Sequence, residues 1–529
     1  MAAKGAVACG HPATAAAAEE ILNDGGSAFD AALAGLCAAA VAEPVLCSLA
    51  GGGFLLAQPA EQQPRLYDFF VQTPGERPGD RRPLSEIDFY PILADFGTAT
   101  QEFHIGLGAV ATPGIVKGLF EVHRDLGRLP MRRIVEPAVA LAKDGVPLRP
   151  VDTYLFQVVG PILTARSDSR AVYTRPDGSL LREGDSTRQP HLAESLLALA
   201  EEGDDLFYRG DLAHQLVTAC REQGGLLDAG DLESYRVIRR PPLERRYRGA
   251  RIVTNPPPST GGILIAFALA LLAESDIGRL EFGSPDHLAL LTRVMAFTNR
   301  ARIDARLHET DGERQEWDAA ARLLDPELVD AYAKGVSGRP KSLRGTTHIS
   351  VVDAAGNFAA LTLSNGEGCG YVLPGSGIML NNMLGEEDLN AGGFHAWPRR
   401  SRLASMMAPT IARLEDGTVA ALGSGGSNRI RTAILQVLTN LIDFGLPTDR
   451  AVTAPRLHFE EGVANFETEF EEAARDALGR APVAELVERS IAWPHHNLFF
   501  GGVHAVTRSE SGTLAAAGDP RRGGAAVVV

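Results

Sequence analysis

Two adjacent threonines, Thr346 and Thr347, follow Gly345 and precede the apolar segment Ile349–Asp353, which the sequence predicts to be a short buried strand. A hydroxyl at the tip of a strand can attack the preceding carbonyl carbon, convert the amide into an ester and let water cut the chain. Thr346 would then be a new N-terminus, with an α-amine of reference pKa about 8 beside its hydroxyl. Such an amine can activate the hydroxyl as a nucleophile. Ordinary turns contain the same residue types, so this hypothesis needs support from the rest of the chain.

The predicted elements change character at Thr346. Before it, helices predominate, at His11–Leu22, Ala28–Ala42, Ile115–Leu126, Ile263–Ala273 and most of 284–335. The charged, irregular stretch 76–105 predicts a surface loop, and the basic, turn-rich stretch 335–344 predicts a flexible tether. After Thr346, strands are predicted at 349–353, 358–364, 376–380, 408–414, 418–422, 464–468 and 500–506, with one helix at Arg429–Phe444. This change in architecture supports the cleavage hypothesis.

Composition excludes several classes of function. The 529 residues carry a net charge of -15, which argues against nucleic acid or an anionic membrane as the main partner. The five cysteines have no CxxC spacing, so we expect neither disulfides nor a zinc site. The start of the chain has no apolar signal segment, and the longest apolar run, Ile263–Ala273, is too short to span a bilayer. A cytoplasmic protein is expected.

Motifs along almost the whole chain resemble those of one family, the γ-glutamyltransferases (γ-glutamyltranspeptidases, glutathione hydrolases). No single motif is specific, but together they occur in the family's order and at similar spacing. They are the segments 25–32, 43–44, 51–54, 108–114, 189–193, 207–210, 231–235 and 256–262, the Thr346 segment, and the segments 380–382, 407–410, 423–430 and 519–522.

The resemblance implies an α+β fold, the four-layer αββα sandwich of the N-terminal-nucleophile hydrolases. It also implies self-cleavage between Gly345 and Thr346. The products would be a large subunit, residues 1–345, ending in the tether near 335–345, and a small subunit, residues 346–529, with 529 − 345 = 184 residues. The two fragments would form one intertwined catalytic domain. The expected ligand is a small-molecule amide, with no cofactor and no metal, because the N-terminal amine supplies the base.

The resemblance assigns roles to several residues. Thr346 is the nucleophile, and Ser364 matches a family threonine whose hydroxyl bonds to it. Gly425 and Gly426 fall in a glycine turn whose backbone N–H groups form an oxyanion hole, although the pair Gly426 and Ser427 fits equally well. The motif at Asp519, Arg521 and Arg522 is interpreted as structural.

The residues that would hold a γ-glutamyl group depart from the family pattern. Phe70 replaces an arginine that binds the α-carboxylate, and Met383 follows the paired asparagines. The spacing places Ser405 and Met406 where the family has two serines, Gly366 where it has an asparagine (with Asn365 displaced by one), and Glu386 where it has an ammonium-binding aspartate. Ser405, Glu386 and Asn365 are the predicted substrate-binding residues, and Glu367 or Glu387 are alternatives to Glu386 for binding an amine.

Three hypotheses follow from these patterns. The first is a self-processing hydrolase of γ-glutamyl amides such as glutathione, for which the short segment 382–405 favours hydrolysis over transfer. The second is an amidase or acylase for another acyl group, because most of the clamp is missing. The third is a non-catalytic family descendant, which intact Thr346 and Ser364 disfavour. His348 is predicted to be a packing residue or a residue that sets the cleavage geometry. Neither the pair His495–His496 nor Cys369 has the partners that a metal site or a nucleophile needs.

Overall fold

A computed structural model describes residues 3–95, 100–304, 318, 320–325, 329, 345–390 and 392–529. The protein combines helices and sheets. The predicted tether near 335–345 lies outside the described residues except for Gly345.

The first sheet has seven strands, and every neighbouring pair is antiparallel. Its third strand, Thr347–Asp353, is buried along its whole length. We call this element the nucleophile strand. In spatial order the strands are Ala525–Val528, Gly5–Cys9, Thr347–Asp353, Phe358–Ser364, Gly52–Gln58, Arg65–Phe69 and Ile238–Arg240.

The second sheet has six antiparallel strands and packs against the first, since the nucleophile strand contacts Val419–Gly425 and Gly502–Arg508. In spatial order its strands are Leu514–Ala517, Gly502–Arg508, Val419–Gly425, Thr410–Arg413, Ala250–Thr254 and Leu243–Tyr247. Short strands lie outside these sheets, at Tyr90–Asp95, Thr100–Ile105, Val146–Pro147, Ser186–Thr187, Val372–Leu373, Ile378–Met379, Leu457–Glu460, Val463–Glu467 and Arg489–Trp493.

Helices pack on both sheets. Ala28–Ala42 packs on the nucleophile strand and begins with a capping box between Ser27 and Asp30. Arg429–Ile442 packs on the second sheet. The other helices are Pro12–Asn23, Ile115–Leu126, Met131–Asp144, Pro150–Val158, Gly160–Leu163, Ser167–Tyr173, Pro190–Glu202, Asp205–Tyr208, Asp211–Gln223, Ala229–Ser234, Thr260–Ala273, Pro285–Asp304, Thr448–Thr453 and Glu471–Leu478.

The prediction of a surface loop over 76–105 is wrong for its last part. Tyr90–Asp95 and Thr100–Ile105 form an antiparallel hairpin in which Ala94 and Phe103 are fully buried. The hairpin packs into a small separate hydrophobic cluster. Its alternation of apolar and polar residues is too short and too interrupted to stand out in the sequence.

Candidate active site

The Gly345–Thr346 peptide bond lies at the start of the nucleophile strand, inside the protein. Thr346 is 5% exposed, and its side-chain hydroxyl donates a hydrogen bond to the carbonyl oxygen of Gly345 at 2.7 Å. The Ser364 hydroxyl donates to the same oxygen at 2.8 Å. The N–H of Gly345 donates to Oε1 of Glu367 at 2.8 Å, which fixes the peptide from its other side. Two hydroxyl donors polarise the carbonyl that the Thr346 hydroxyl would attack.

Strand pairing places Ser364 at this carbonyl. Ser364 is the last residue of Phe358–Ser364, which pairs with the nucleophile strand so that Thr347 lies opposite Leu363. In antiparallel strands the end of one lies beside the start of the next. The two hydroxyls therefore converge on the Gly345 carbonyl oxygen, and the predicted hydrogen bond from Ser364 to the nucleophile stays a prediction.

Replacement of Ser364 by alanine should slow self-cleavage about tenfold to a hundredfold, because a donor aimed at the developing oxyanion is lost while Thr346 stays in place. The rate is measured as loss of full-length protein after translation, on a denaturing gel. Ser364→Thr keeps the hydroxyl and should cleave at close to the wild-type rate. Ser376→Ala removes a buried hydroxyl that bonds to Leu373 instead, and serves as the matched control. Wild-type cleavage by Ser364→Ala would remove Ser364 from the mechanism.

The two residues after Thr346 are held in structural roles. The Thr347 hydroxyl donates to Oε2 of Glu43 at 2.7 Å, so it points away from the Gly345 carbonyl. The His348 ring is fully buried, with its nitrogens 2.8 Å from the Thr362 hydroxyl and 2.9 Å from the Ser350 hydroxyl. Burial lowers the pKa of His348 well below its usual value, so the ring is neutral. This geometry supports a packing role for His348.

The glycine turn approaches Thr346 closely. Gly425 ends the strand Val419–Gly425, and a Cβ placed on it would lie 2.0 Å from the Thr346 carbonyl oxygen. The next two residues, Gly426 and Ser427, have positive φ angles of 122° and 52°. Turns that aim successive backbone N–H groups to one side can form an anion-binding concavity. The turn lies where an oxyanion hole is expected, and both donor pairs remain predictions.

A buried ionic cluster from the C-terminal motif supports the same region. Asp519 accepts hydrogen bonds from the N–H of Val503 at 2.9 Å and from the Arg456 guanidinium at 2.7 Å. Arg521 forms a fully buried pair with Glu467. These contacts agree with the structural interpretation of Asp519 and Arg521.

Arg522 has a role that the sequence did not reveal. Its Nη1 donates to the Thr346 carbonyl oxygen at 3.2 Å, and burial lowers the pKa of its guanidinium to about 10. It therefore fixes the residue that carries the nucleophile. The sequence feature that could have indicated this role is the second arginine of the 519–522 motif. Arg521 binds Glu467, whereas Arg522 binds Thr346.

Asp519 should make stability depend on pH in acid. Burial alone would raise the pKa of this carboxyl, but Arg456 and Arg521 lower it from 3.8 to about 2. A group with a depressed folded-state pKa stabilises the fold above its unfolded pKa and loses this contribution as pH falls. We expect the unfolding free energy in urea to drop by about 2 kcal/mol between pH 4 and pH 2 from this group. Asp519→Asn should be less stable at pH 7 and show a shallower acid dependence, so an unchanged slope would contradict the assignment.

A cleft opens in front of Thr346 and Ser364 and encloses about 750 Å³, including space continuous with solvent. Three apolar side chains, those of Phe70, Met383 and Met406, contribute to its wall. Phe70 is 1% exposed, and its ring stacks on another aromatic ring of the core at a centroid distance of 5.4 Å. The cleft therefore gives a small molecule access to Thr346 along a largely apolar surface.

A protein-family model described as Gamma-glutamyltranspeptidase matches residues 14–529. The chain belongs to the γ-glutamyltranspeptidase family. It is thus an enzyme, an N-terminal-nucleophile hydrolase, and the resemblance inferred from the motifs is confirmed.

Proteins similar to this γ-glutamyltranspeptidase-family enzyme include an acylase and a glutathione hydrolase. An "Acylase ACY 1 proenzyme" of Pseudomonas sp. (strain SE83) is 33% identical over 547 residues, covering 99% of this chain and 94% of the relative. A "Glutathione hydrolase proenzyme" of Escherichia coli (strain K12) is 32% identical over 471 residues, covering 83% and 78%. The crystal structure of cephalosporin acylase from Bacillus halodurans shares the fold, with a TM-score of 0.82 at 24% identity over 99% of this chain and 96% of that one.

Two of the three predicted substrate-binding residues of this family member line the cleft. Ser405 does so, with its hydroxyl oxygen accepting the N–H of Met407 at 3.1 Å. Glu386 also lines the cleft. Its position requires a glycine at 366, because a Cβ on Gly366 would lie 2.2 Å from Oε1 of Glu386. The alternative glutamates lie elsewhere, since Glu367 binds Gly345 and Glu387 is exposed outside the cleft.

Asn365 is not among the residues that line the cleft. Its side chain is fully buried, and neither amide atom has a hydrogen-bond partner among the residues that the structure describes. Its predicted contact with substrate therefore gains no support from the geometry. The matched position, Gly366, lies in a turn with a φ of 65°, so the backbone there differs from that of Asn365.

The other reactive residue types are remote or inert. Burial raises the pKa of the Cys369 thiol to about 12, which disfavours the thiolate. His495 pairs with Glu469, and the described part of the chain contains no group of three or more side chains placed to hold a metal ion. In the same part, no helix has the length and apolarity to cross a membrane.

Proposed function

We propose that this enzyme cuts its own chain between Gly345 and Thr346 and then hydrolyses small-molecule amides through an acyl-Thr346 intermediate. The observation that carries the proposal is the convergence of the Thr346 and Ser364 hydroxyls on the Gly345 carbonyl oxygen, at the edge of an open cleft. The parts 1–345 and 346–529 would be the two subunits, layered as an αββα sandwich.

Self-cleavage begins with attack of the Thr346 hydroxyl oxygen on the Gly345 carbonyl carbon. The C–N bond breaks, the nitrogen takes the hydroxyl proton, and an ester replaces the amide. Water then hydrolyses the ester, which leaves a carboxylate on Gly345 and restores the hydroxyl of Thr346. The Ser364 hydroxyl is placed to stabilise the negative charge that develops on the carbonyl oxygen.

The freed α-amine of Thr346 supplies the base for turnover. It takes the hydroxyl proton as the oxygen attacks the substrate amide and gives the proton to the leaving amine. N–H groups of the turn at Gly425, Gly426 and Ser427 would hold the tetrahedral oxyanion. Water then attacks the acyl-Thr346 ester and releases the acid.

The acyl group has two candidates. A γ-glutamyl amide such as glutathione fits the family, and Glu386, which lines the cleft, is the proposed contact for its amine. Another acyl group fits the wall better, because Phe70, Met383 and Met406 occupy positions where the family binds the α-carboxylate and its surroundings. In both cases we propose that hydrolysis predominates over transfer.

Chromogenic anilides distinguish these candidates. Purified enzyme is assayed with γ-glutamyl, glutaryl and pentanoyl 4-nitroanilides, and with the Thr346→Ala variant as the blank. We expect the cleaved enzyme to release nitroaniline from at least one of them. Activity on γ-glutamyl alone would exclude the broader acylase, and activity on the other two without γ-glutamyl would exclude the glutathione-type substrate. An uncut chain with no activity on any anilide would contradict the proposed function.

A further inference from the structure

An arginine in the wall of the cleft lies on a helix that contains none of the family motifs. Arg302 belongs to the last turn of the helix Pro285–Asp304 and lines the same cleft as Thr346. Its side chain is 15% exposed. The cleft therefore has a cation on a wall that is otherwise rich in apolar side chains.

The Arg302 guanidinium makes no hydrogen bond to any residue within the described ranges, and its Nη1 is buried. Among the described residues the closest carboxylate oxygen is Oε1 of Glu460, which is 4.0 Å from Nη1 of Arg302, beyond hydrogen-bond distance. That oxygen already accepts a hydrogen bond from Arg431 at 3.0 Å. One buried carboxylate thus faces two guanidinium groups, and it bonds to Arg431 rather than to Arg302.

Arg402 contacts Phe70, which stands at the position of the family's carboxylate-binding arginine, but Arg402 is placed to bind other protein groups rather than substrate. Arg402 contacts the backbone of Phe70, donates to the Tyr235 hydroxyl at 2.6 Å and pairs with Asp68 at 3.3 Å. It does not line the cleft. Arg402 therefore does not replace the arginine that is absent at Phe70, and among the described residues that line the cleft Arg302 is the cation.

We propose that Arg302 binds a carboxylate carried by the acyl group of the substrate. This inference rests on the proposed function and narrows its substrate to amides of carboxylate-bearing acids, of which glutaryl is the simplest probe. The planar guanidinium can donate two parallel hydrogen bonds to a carboxylate. Phe70 and Met406 line the same cleft and would contact the methylene chain between the carboxylate and the scissile carbonyl.

The cleft also contains negative charge, which bears on what else the acyl group carries. Glu386 and Asp388 line it, and Asp388 lies 3.4 Å from the Ser427 hydroxyl. These carboxylates suit an amine on the substrate, so a γ-glutamyl group would use both signs of charge. A glutaryl group lacks the amine and tests Arg302 alone.

The first test compares glutaryl and pentanoyl 4-nitroanilides, which differ only in that a methyl group replaces the carboxylate. We expect the wild type to have a higher kcat/KM for glutaryl. In Arg302→Met the ratio of the two kcat/KM values should fall about tenfold to a hundredfold, mainly through KM, as for loss of a charged hydrogen bond. Arg302→Lys should retain part of the ratio, because the charge remains but the fork is lost.

Arg300→Gln is the matched control. Arg300 lies on the same helix, is 39% exposed, pairs with Asp304 at 2.9 Å and does not line the cleft. Its variant should keep the wild-type ratio. An unchanged ratio in Arg302→Met, or a wild type without preference for glutaryl, would overturn the proposal.

A second measurement needs no turnover. Calorimetry compares binding of glutarate and pentanoate to the wild type and to Arg302→Met, with the unfolding temperature of both proteins as a folding check. Glutarate should bind the wild type at least about tenfold more tightly than pentanoate, and the variant should lose this difference. Equal binding of both acids to the wild type would overturn the carboxylate site. An uncut, inactive protein that still prefers glutarate would contradict the proposed catalysis alone.

Discussion

Replacement of Thr346 by alanine should leave the protein as a single 529-residue chain of 56.2 kDa, whereas we expect the wild type to give fragments of 345 and 184 residues. The variant lacks the oxygen that lies next to the Gly345 carbonyl, so neither cleavage nor acyl transfer can begin. Amide hydrolysis should fall by about 10⁴-fold or more, as when other covalent hydrolases lose their nucleophile. Denaturing gels, intact mass and anilide turnover measure these outcomes.

The neighbouring hydroxyl provides the matched control. Thr347→Ser keeps the hydrogen bond to Glu43 and should cleave and turn over substrate like the wild type. Thr346→Ser keeps a hydroxyl at the reacting position and should cleave, at a reduced rate. Fragments of the wild-type masses from Thr346→Ala would show that a residue other than Thr346 is the nucleophile of self-cleavage.

Replacement of Gly425 by alanine should have the second largest effect, on both stability and cleavage. Its Cβ would lie 2.0 Å from the Thr346 carbonyl oxygen, a backbone atom that cannot rotate away. The two strand ends must separate, and overpacking of this kind typically costs about 1–3 kcal/mol. Displacement of Thr346 by even about 1 Å should slow self-cleavage about a hundredfold. Urea unfolding and the time course of precursor loss measure the two effects.

Gly392 is the control for a simple loss of glycine. A Cβ on Gly392 would meet no atom within 4 Å, so Gly392→Ala should change neither stability nor cleavage. Wild-type cleavage by Gly425→Ala would contradict the close approach of Gly425 to Thr346. It would also contradict the predicted oxyanion hole at this turn.

Helix caps, hydrophobic periodicity and turn residues predicted the bounds of several helices and strands. The helices Ala28–Ala42 and Ile115–Leu126 have the predicted bounds, because capping residues and strong periodicity define their ends. The strand Phe358–Ser364 also has its predicted bounds, since a glycine-asparagine turn precedes it. The nucleophile strand begins earlier than predicted, at Thr347, because pairing with Phe358–Ser364 continues into the polar residues.

Contacts between distant segments were beyond the reach of sequence reasoning. Nothing local to Arg522 indicates that its guanidinium contacts Thr346, which is 176 positions away. Arg302 lies on a helix with no recognisable motif, and only the assembled cleft brings it to the same space as Thr346. Asn365 shows the converse: its sequence position is one residue from the matched site, but its buried side chain does not line the cleft.

Both sheets take strands from each side of the Gly345–Thr346 bond: Gly5–Cys9 pairs with Thr347–Asp353 in the first, and Ala250–Thr254 with Thr410–Arg413 in the second. A cut at that bond would change the molecularity of folding. The continuous chain folds in a first-order reaction, whereas two separated fragments must first meet at a rate set by their concentration. If cleavage follows folding, the two parts are already paired in both sheets when the chain is cut. Once separated by unfolding, the fragments should reassociate slowly in dilute solution.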